Sequence, residues 1–147
     1  MSCKDKLAVV TGGMGGIGTA ICLRLAKEGA RVVATCHPSE AERAAAWIGE
    51  QKEHGAEIEV VSGDVSTPEG GATLMSAIVE QFGPVDILVN CAGITRDSTM
   101  KKMTVEQWDA VIDTNLSPSP DAKRVAPATV SPEASTFRPC VNSFAMA

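Results

Sequence analysis

The chain has 147 residues, enough for one domain with a hydrophobic core, and 44% of them are hydrophobic, as in an ordinary globular protein. Its formal net charge of −5 provides no basic footprint, so no nucleic-acid partner is expected. No apolar run approaches the roughly 18 residues of a membrane span, and the N-terminus lacks a signal-peptide pattern. We therefore expect no membrane partner and a cytoplasmic location.

The chain alternates between two kinds of segment. Four short runs rich in apolar and β-branched residues predict buried strands of a parallel sheet: Leu7–Thr11, Arg31–Thr35, Ile58–Ser62 and Val85–Asn90. The segments between them predict helices: one in which Ile17, Ile21 and Leu25 recur and which Gly29 ends, one from Ser39 to about His54, one from about Gly71 to Phe82, and one that opens with a capping box of Thr104 and Gln107. This alternation predicts an α/β fold with a doubly wound parallel sheet of the Rossmann type.

The pattern ends after Leu116. The remaining segment carries a series of prolines, each of which removes a backbone donor and disfavours helix at the preceding residue: Pro118, Pro120, Pro127, Pro132 and Pro139. We therefore divide the chain into an incomplete α/β domain, residues 1–116, and an irregular, disordered tail, residues 117–147. An aberrant reading frame and a genuine tail both explain this change of composition.

Other residues with possible chemistry have simpler interpretations. The five cysteines are odd in number and show no CxxC spacing, so neither a disulfide framework nor a metal site is expected: Cys3, Cys22, Cys36, Cys91 and Cys140. They are interpreted as small buried hydrophobes or free thiols. Trp47 and Trp108 are interpreted as packing residues.

A glycine-rich stretch connects the first strand to the first helix. It has the spacing Thr11-Gly12-x-x-x-Gly16-x-Gly18. Gly12 would permit a tight turn, Gly16 would let a pyrophosphate approach the backbone, and Gly18 would let the helix pack closely. The helix N-terminus would offer unpaired N–H groups to the phosphates. The pattern therefore predicts a dinucleotide site, with a purely structural turn as the alternative.

The end of the second strand indicates which dinucleotide is preferred. A carboxylate there would bind the ribose 2′-hydroxyl of NAD, but the strand ends in Thr35, Cys36 and His37, and Glu40 comes later. This favours NADP over NAD, because a carboxylate would repel a 2′-phosphate. His37 or Arg43 could reach that phosphate, although both are equally interpretable as solvated surface side chains.

These motifs resemble those of the short-chain dehydrogenase/reductases. The family's cofactor motif corresponds to the glycine stretch, and its Asp-Val pair after strand three, which contacts adenine, corresponds to Asp64-Val65. Its Asn-Asn-Ala-Gly after strand four corresponds to residues 90–93, where Cys91 departs from the pattern. The resemblance implies that Asn115 is the family's active-site Asn. It also implies a set of cofactor-binding residues: Thr11, Gly12, Gly16, Ile17, Gly18, Asp64, Val65, Asn90, Ala92 and Gly93.

The resemblance extends to one branch of the family. The stretches "TGGMGGIGTAIC", "AGITRD" and "WDAVIDTN" resemble the acetoacetyl-CoA reductases of polyhydroxybutyrate synthesis. "AGITRD" is shared with the 3-oxoacyl-(acyl-carrier-protein) reductases, which remain an alternative. Both imply NADPH-dependent reduction of a 3-oxoacyl thioester to a 3-hydroxyacyl thioester. The resemblance covers Lys6 to about Leu116.

Beyond that point the family's remaining catalytic residues have no counterpart. The family uses a Tyr as proton donor, a Lys four residues later and a Ser on strand five, whereas this chain contains no Tyr. We therefore expect no turnover from this chain. Three interpretations of the chain remain open: an incomplete reductase, a dinucleotide-binding module and a non-functional fragment. If the sheet stops after strand four, that strand becomes an aggregation-prone edge, and the family's homo-oligomer contacts are lost.

Overall fold

The structure, a computed structural model, describes residues 2–116, so the prediction for residues 117–147 lies outside it. The elements follow in the order β1 (Leu7–Thr11), α1 (Gly16–Lys27), β2 (Arg31–Cys36), a 3₁₀ turn (Pro38–Glu40), α2 (Ala41–Glu53), β3 (Ile58–Ser62), α3 (Pro68–Phe82), β4 (Ile87–Asn90) and α4 (Val105–Asn115). Strands and helices alternate as the sequence predicts.

The strands form one parallel sheet in the order β3-β2-β1-β4. Every residue of β1 is buried, because this strand lies between β2 and β4 with helices on both faces. One face packs against a cluster that includes Cys22 and Trp47, and the other against a cluster that includes Leu74 and Ile78. The Rossmann-type sheet is thereby confirmed. Its register places Thr11 beside Asn90, so the carboxyl ends of β1 and β4 meet.

Most element boundaries agree with the sequence prediction to within a few residues. The strand β4 begins at Ile87 rather than Val85. The helix α3 begins at Pro68 rather than near Gly71, because the Thr67 hydroxyl accepts a hydrogen bond from the Gly70 N–H at 3.1 Å and caps it. The helix α1 ends as predicted, with Gly29 in the left-handed region at φ +91°.

The two tryptophans have different environments. Trp47 is buried, and its indole N–H donates to the Thr19 hydroxyl at 3.1 Å, which confirms it as a packing residue. Trp108 is 54% exposed, so its interpretation as a packing residue was wrong. It lies on α4, which has no fully buried residue in the described part of the chain.

The sheet edge formed by β4 explains the exposure of α4. In residues 2–116 no strand pairs with the outer side of β4, and its apolar residues Ile87, Leu88 and Val89 are only half-buried. The predicted edge position of strand four therefore holds for the described residues. No helix within residues 2–116 combines the length and the apolar character needed to cross a membrane.

Asp86 joins the start of β1 to the approach to β4. Its carboxylate accepts hydrogen bonds from the Leu7 N–H at 2.9 Å and from the Lys6 ammonium at 3.0 Å. Burial alone would raise the pKa of Asp86, but these hydrogen bonds and the charge of Lys6 together hold that pKa below its usual value. The carboxylate therefore stabilises the fold in its charged form.

This arrangement makes a stability prediction for Asp86→Asn. Hydrogen bonds to charged groups contribute about 1.5–3 kcal/mol, so the substitution should lower the free energy of unfolding at pH 7 by an amount in that range. Because the folded-state pKa is depressed, the stabilisation is complete above the unfolded-state pKa of about 3.9 and is lost as the pH falls through the folded-state value. Urea unfolding between pH 3 and pH 7 measures both effects.

The matched control is Asp113→Asn, a carboxylate that is exposed on α4 and has no ion pair in the described structure. It should leave stability within about 0.5 kcal/mol of the original. Equal losses for the two substitutions at pH 7 would contradict the role assigned to Asp86.

Candidate cofactor-binding site

The turn after β1 is fixed by close backbone approaches to two neighbouring strands. Gly12 has φ +63°, and a Cβ at this position would lie 2.8 Å from the Ala92 Cα. The Gly13 N–H donates to the Thr35 carbonyl at 2.9 Å, and a Cβ on Gly13 would lie 2.5 Å from the Ala34 Cβ. Any side chain at either position would push the turn away from the sheet. Gly13 is a site residue that the motif comparison missed, although the run of glycines contains it.

The next two motif glycines have different surroundings. A Cβ on Gly18 would collide with the Gly12 carbonyl oxygen, so this glycine lets α1 approach the turn itself. A Cβ on Gly16 would meet no atom within 4 Å. The fold therefore needs glycine at position 18 but has no steric need for it at position 16. In the dinucleotide site that the sequence predicts, a phosphate group would occupy this open space at Gly16.

The N-terminus of α1 offers unsatisfied donors to that space. Its N-cap, Gly15, has no side-chain cap. The N–H groups of Gly16, Ile17 and Gly18 have no acceptor among residues 2–116. Ile17 is also 69% exposed, which is unusual for an isoleucine beside a buried strand. Free N–H groups at the positive end of a helix dipole form an anion-binding site.

Thr11 connects this turn to the segment after β4. Its hydroxyl oxygen accepts hydrogen bonds from the Cys91 N–H at 3.0 Å and the Ala92 N–H at 3.1 Å. The hydroxyl in turn donates to the Val89 carbonyl, with 3.5 Å between the two oxygens. Thr11 is buried, and its hydroxyl gives the backbone donors of the half-buried Cys91 and Ala92 an acceptor within the protein. The structure thus brings together Thr11, Gly12 and Ala92 of the predicted site.

Asn115 holds the same segment from the other side. Its amide oxygen accepts from the Ile94 N–H at 2.8 Å, and its amide nitrogen donates to the Ile94 carbonyl at 3.0 Å. A Cβ on Gly93 would lie 3.2 Å from that amide oxygen. Asn115 therefore fixes the backbone beside Asn90, Ala92 and Gly93, as a positioning residue. Its catalytic role stays a prediction.

Asp64 lies after β3, at the carboxyl edge of the sheet. Hydrogen bonds from Ser66, including its N–H at 2.8 Å, lower the pKa of the Asp64 carboxyl, and the charge of nearby His37 lowers it further. The carboxylate is therefore ionised at neutral pH. Val65 is half-buried and packs against the core. The predicted adenine-contacting pair thus belongs to the same sheet edge as the glycine turn.

The end of β2 presents a histidine rather than a carboxylate. The His37 ring is exposed, and its Nδ1 accepts from the Ser39 N–H at 3.2 Å and lies 2.7 Å from the Ser39 hydroxyl. In the neutral ring this arrangement places the remaining proton on Nε2. The other candidate, Arg43, pairs with Glu40 at 3.6 Å.

The cysteines within residues 2–116 are all partly or fully buried. Cys22 and Cys36 are buried, Cys3 and Cys91 are half-buried, and all four are free thiols. Burial, with a smaller contribution from Cys91, raises the pKa of Cys22 to about 12, so it behaves as a buried hydrophobe. No group of three His, Cys, Asp or Glu residues in the described segment could hold a metal ion. Cys140 lies outside the described residues.

Comparison with known proteins identifies the class. The family model described as short chain dehydrogenase matches residues 6–126, so the chain belongs to the short-chain dehydrogenase/reductase family. This match runs ten residues past Leu116, where the motif resemblance ends.

Several individual relatives are reductases of about twice the length. The chain is 56% identical over 111 residues to the acetoacetyl-CoA reductase of Allochromatium vinosum, which covers 76% of this chain and 45% of that protein. It is 50% identical over 112 residues to the acetoacetyl-CoA reductase of Cupriavidus necator, with coverages of 76% and 45%. A 3-oxoacyl-[acyl-carrier-protein] reductase of Staphylococcus aureus is 41% identical over 111 residues, with the same coverages. The chain thus spans about half the length of the curated relatives it matches.

Solved structures support the same fold. A short chain dehydrogenase from Burkholderia cenocepacia in complex with NADP superposes with a TM-score of 0.78 at 34% identity, covering 89% of this chain and 53% of that one. A blue fluorescent protein from a metagenomic library in complex with NADPH gives a TM-score of 0.76 at 30% identity, covering 88% and 53%. Four parallel strands with flanking helices therefore represent one half of a known architecture.

The contrast between two glycines provides a test of the turn. Gly12→Ala should lower the free energy of unfolding by at least about 2 kcal/mol, because a left-handed alanine alone costs about 1–2 kcal/mol and its Cβ would collide with Ala92. Gly16→Ala should leave stability unchanged or raise it by up to about 1 kcal/mol, since alanine is the better helix former. Chemical denaturation of both variants measures the difference. Equal effects would show that the turn does not have the geometry described.

Proposed function

We propose that this chain is the dinucleotide-binding part of an NADPH-dependent reductase of 3-oxoacyl thioesters, with acetoacetyl-CoA as the thioester. The observation that carries the proposal is the glycine turn, where the free N–H groups of Gly16, Ile17 and Gly18 border an open space at the carboxyl edge of the sheet. The two acetoacetyl-CoA reductase relatives, at 56% and 50% identity, support the substrate. The carrier-protein reductases, at 41%, leave a carrier-protein thioester as the second candidate.

Each part of the site has a role in holding the cofactor. The N-terminus of α1 would bind the pyrophosphate, because its N–H groups are unsatisfied and its dipole favours anions. Asp64 and Val65 would contact the adenine, as the family resemblance implies. Asn90, Ala92 and Gly93 border the turn on the β4 side, where Thr11 and Asn115 hold the backbone. A bound NADPH would supply the hydride for reduction of the ketone.

The preference for NADP over NAD follows from the end of β2. No carboxylate is present there to bind a ribose 2′-hydroxyl, and the exposed His37 ring, whose Nδ1 accepts from the Ser39 N–H, leaves Nε2 to donate to a ligand. His37 is the better candidate for contact with a 2′-phosphate, because Arg43 is paired with Glu40. The neighbouring structures in complex with NADP and NADPH agree with this preference.

Catalysis needs a group that these residues do not supply. Reduction of a ketone generates an alkoxide that must be protonated, and the 147 residues contain no Tyr to act as the family's acid. Asn115, the catalytic candidate of this chain, uses both ends of its amide on the backbone of Ile94. We therefore propose cofactor binding without turnover for this chain, and reduction for the longer proteins it resembles.

Calorimetric titration of the full chain with NADPH tests the proposed function. Saturable binding is expected, together with no NADPH oxidation when acetoacetyl-CoA is added. Gly16→Ala should weaken binding about tenfold or more, equivalent to about 1.4 kcal/mol, because the methyl group fills the phosphate space. The unfolding midpoint of the same variant serves as the control for folding. Absence of NADPH binding by a folded chain would refute the cofactor assignment, and oxidation of NADPH would refute the lack of turnover.

Substitution at the end of β2 tests the cofactor preference. His37→Asp should weaken NADPH binding and strengthen NADH binding, because a carboxylate repels the 2′-phosphate and accepts a hydrogen bond from a 2′-hydroxyl. Arg43→Ala should change the ratio of the two affinities less. Titration of each variant with both cofactors gives this ratio. A larger change from Arg43→Ala would transfer the assignment to the arginine.

A further inference from the structure

The loop between β4 and α4 has an unusual charge. Residues 94–104 carry Arg96, Lys101 and Lys102 against one carboxylate, that of Asp97, whereas the whole chain has a net charge of −5. This stretch, which we call the basic loop, is therefore a local concentration of positive charge on an acidic protein. The cofactor site described above does not use these side chains.

Within residues 2–116, the cations of the basic loop have no carboxylate partners. Arg96, Lys101 and Lys102 are all exposed, and none of them has a carboxylate oxygen within 4.0 Å among residues 2–116. The Arg96 guanidinium donates to the Thr95 carbonyl at 2.9 Å, next to it in the chain. Since no described carboxylate pairs with them, their positive charge is available to an anionic ligand.

Both ends of the basic loop are held in place. At its start, Asn115 binds the backbone of Ile94 through two hydrogen bonds, directly after the segment that packs on the glycine turn. At its end, Thr104 and Gln107 form a reciprocal capping box that begins α4. The loop therefore leaves the carboxyl edge of the sheet from the rim of the cofactor site.

An exposed apolar side chain lies among these cations. Met100 is 81% exposed, and it directly precedes Lys101 and Lys102. A flexible methionine adapts to flat or irregular apolar surfaces. Cations beside an adaptable apolar side chain match a ligand that has phosphate groups next to a nucleobase, because the two features recognise different parts of such a molecule.

We infer that the basic loop binds the phosphate-bearing nucleotide end of coenzyme A, an inference that rests on the proposed function. Coenzyme A carries a pyrophosphate, a 3′-phosphate and an adenine at the end remote from its thioester. When the thioester lies at the nicotinamide, that end must lie outside the reaction site, toward the rim. The basic loop offers Lys101 and Lys102 for the phosphates and Met100 for the adenine. The basic loop determines the affinity for coenzyme A and takes no part in proton or hydride transfer.

Calorimetric titration of the full chain with coenzyme A, in the presence and absence of NADPH, tests this inference. The original chain should bind coenzyme A more tightly than 3′-dephospho-coenzyme A. Lys101→Ala/Lys102→Ala should weaken binding of coenzyme A about tenfold and reduce the difference between the two ligands. Rising salt should weaken binding by the original chain more than by the variant, because fewer screened charge contacts remain in the variant.

The matched control is Lys27→Ala/Lys52→Ala. It also removes two exposed lysines, but from the last turns of α1 and α2. It should bind coenzyme A as the original chain does, and unfolding midpoints confirm that both double variants are folded. Equal effects of the two double variants, or no binding of coenzyme A by the original chain, would overturn the inference.

Two further outcomes distinguish a failure of the proposed function from a failure of the role of the basic loop. Failure of NADPH to bind would refute the proposed function, whereas NADPH binding without coenzyme A binding would refute only the role of the basic loop. Binding of an acyl carrier protein that depends on Lys101 and Lys102, with no binding of coenzyme A, would overturn the inference in favour of a protein carrier.

Discussion

The structure depends on a close approach between two backbone segments, the turn after β1 and the segment after β4. Gly12 and Ala92 are so close that a Cβ on Gly12 would lie 2.8 Å from the Ala92 Cα, and the buried Thr11 hydroxyl accepts from two N–H groups of the facing segment. This contact joins strands that are distant in sequence. It also determines where α1 begins, and so where the positive end of its dipole points. The fold and the candidate binding site therefore share one constraint.

The glycines of the turn differ in whether the fold itself requires them. At positions 12 and 18 a side chain would strike backbone atoms, so glycine is required by the fold alone. At position 16 an added Cβ would meet no neighbouring atom within 4 Å, so the fold does not require glycine there. Since the motif contains both kinds of position, the motif alone does not distinguish a structural turn from a phosphate site. The open space at Gly16, together with the unpaired N–H groups beside it, supports the proposed phosphate site.

Sequence patterns predicted the sheet well because its signals are local. Runs of β-branched residues and the spacing of Ile17, Ile21 and Leu25 gave the strands and the first helix within a few residues of their observed ends. The start of α3 was missed because one cap, Thr67, lies outside the apolar period. The environment of Trp108 was also missed, since burial depends on neighbouring elements, and in the described residues β4 has nothing on its outer side. No local sequence pattern indicates the ion pair of Asp86 and Lys6, because the two residues are distant in sequence.

The hydrogen bonds to Thr11 also explain how the chain accommodates a departure from its family's pattern. The family has Asn where this chain has Cys91, yet the donor to Thr11 at this position is the main-chain N–H. A main-chain donor is present whatever side chain the residue carries, proline excepted. The Cys91 side chain instead packs, half-buried, against the core cluster. A different side chain at position 91 therefore leaves this hydrogen bond unchanged. The residue type at this position does not indicate whether the turn after β1 is held against the segment after β4.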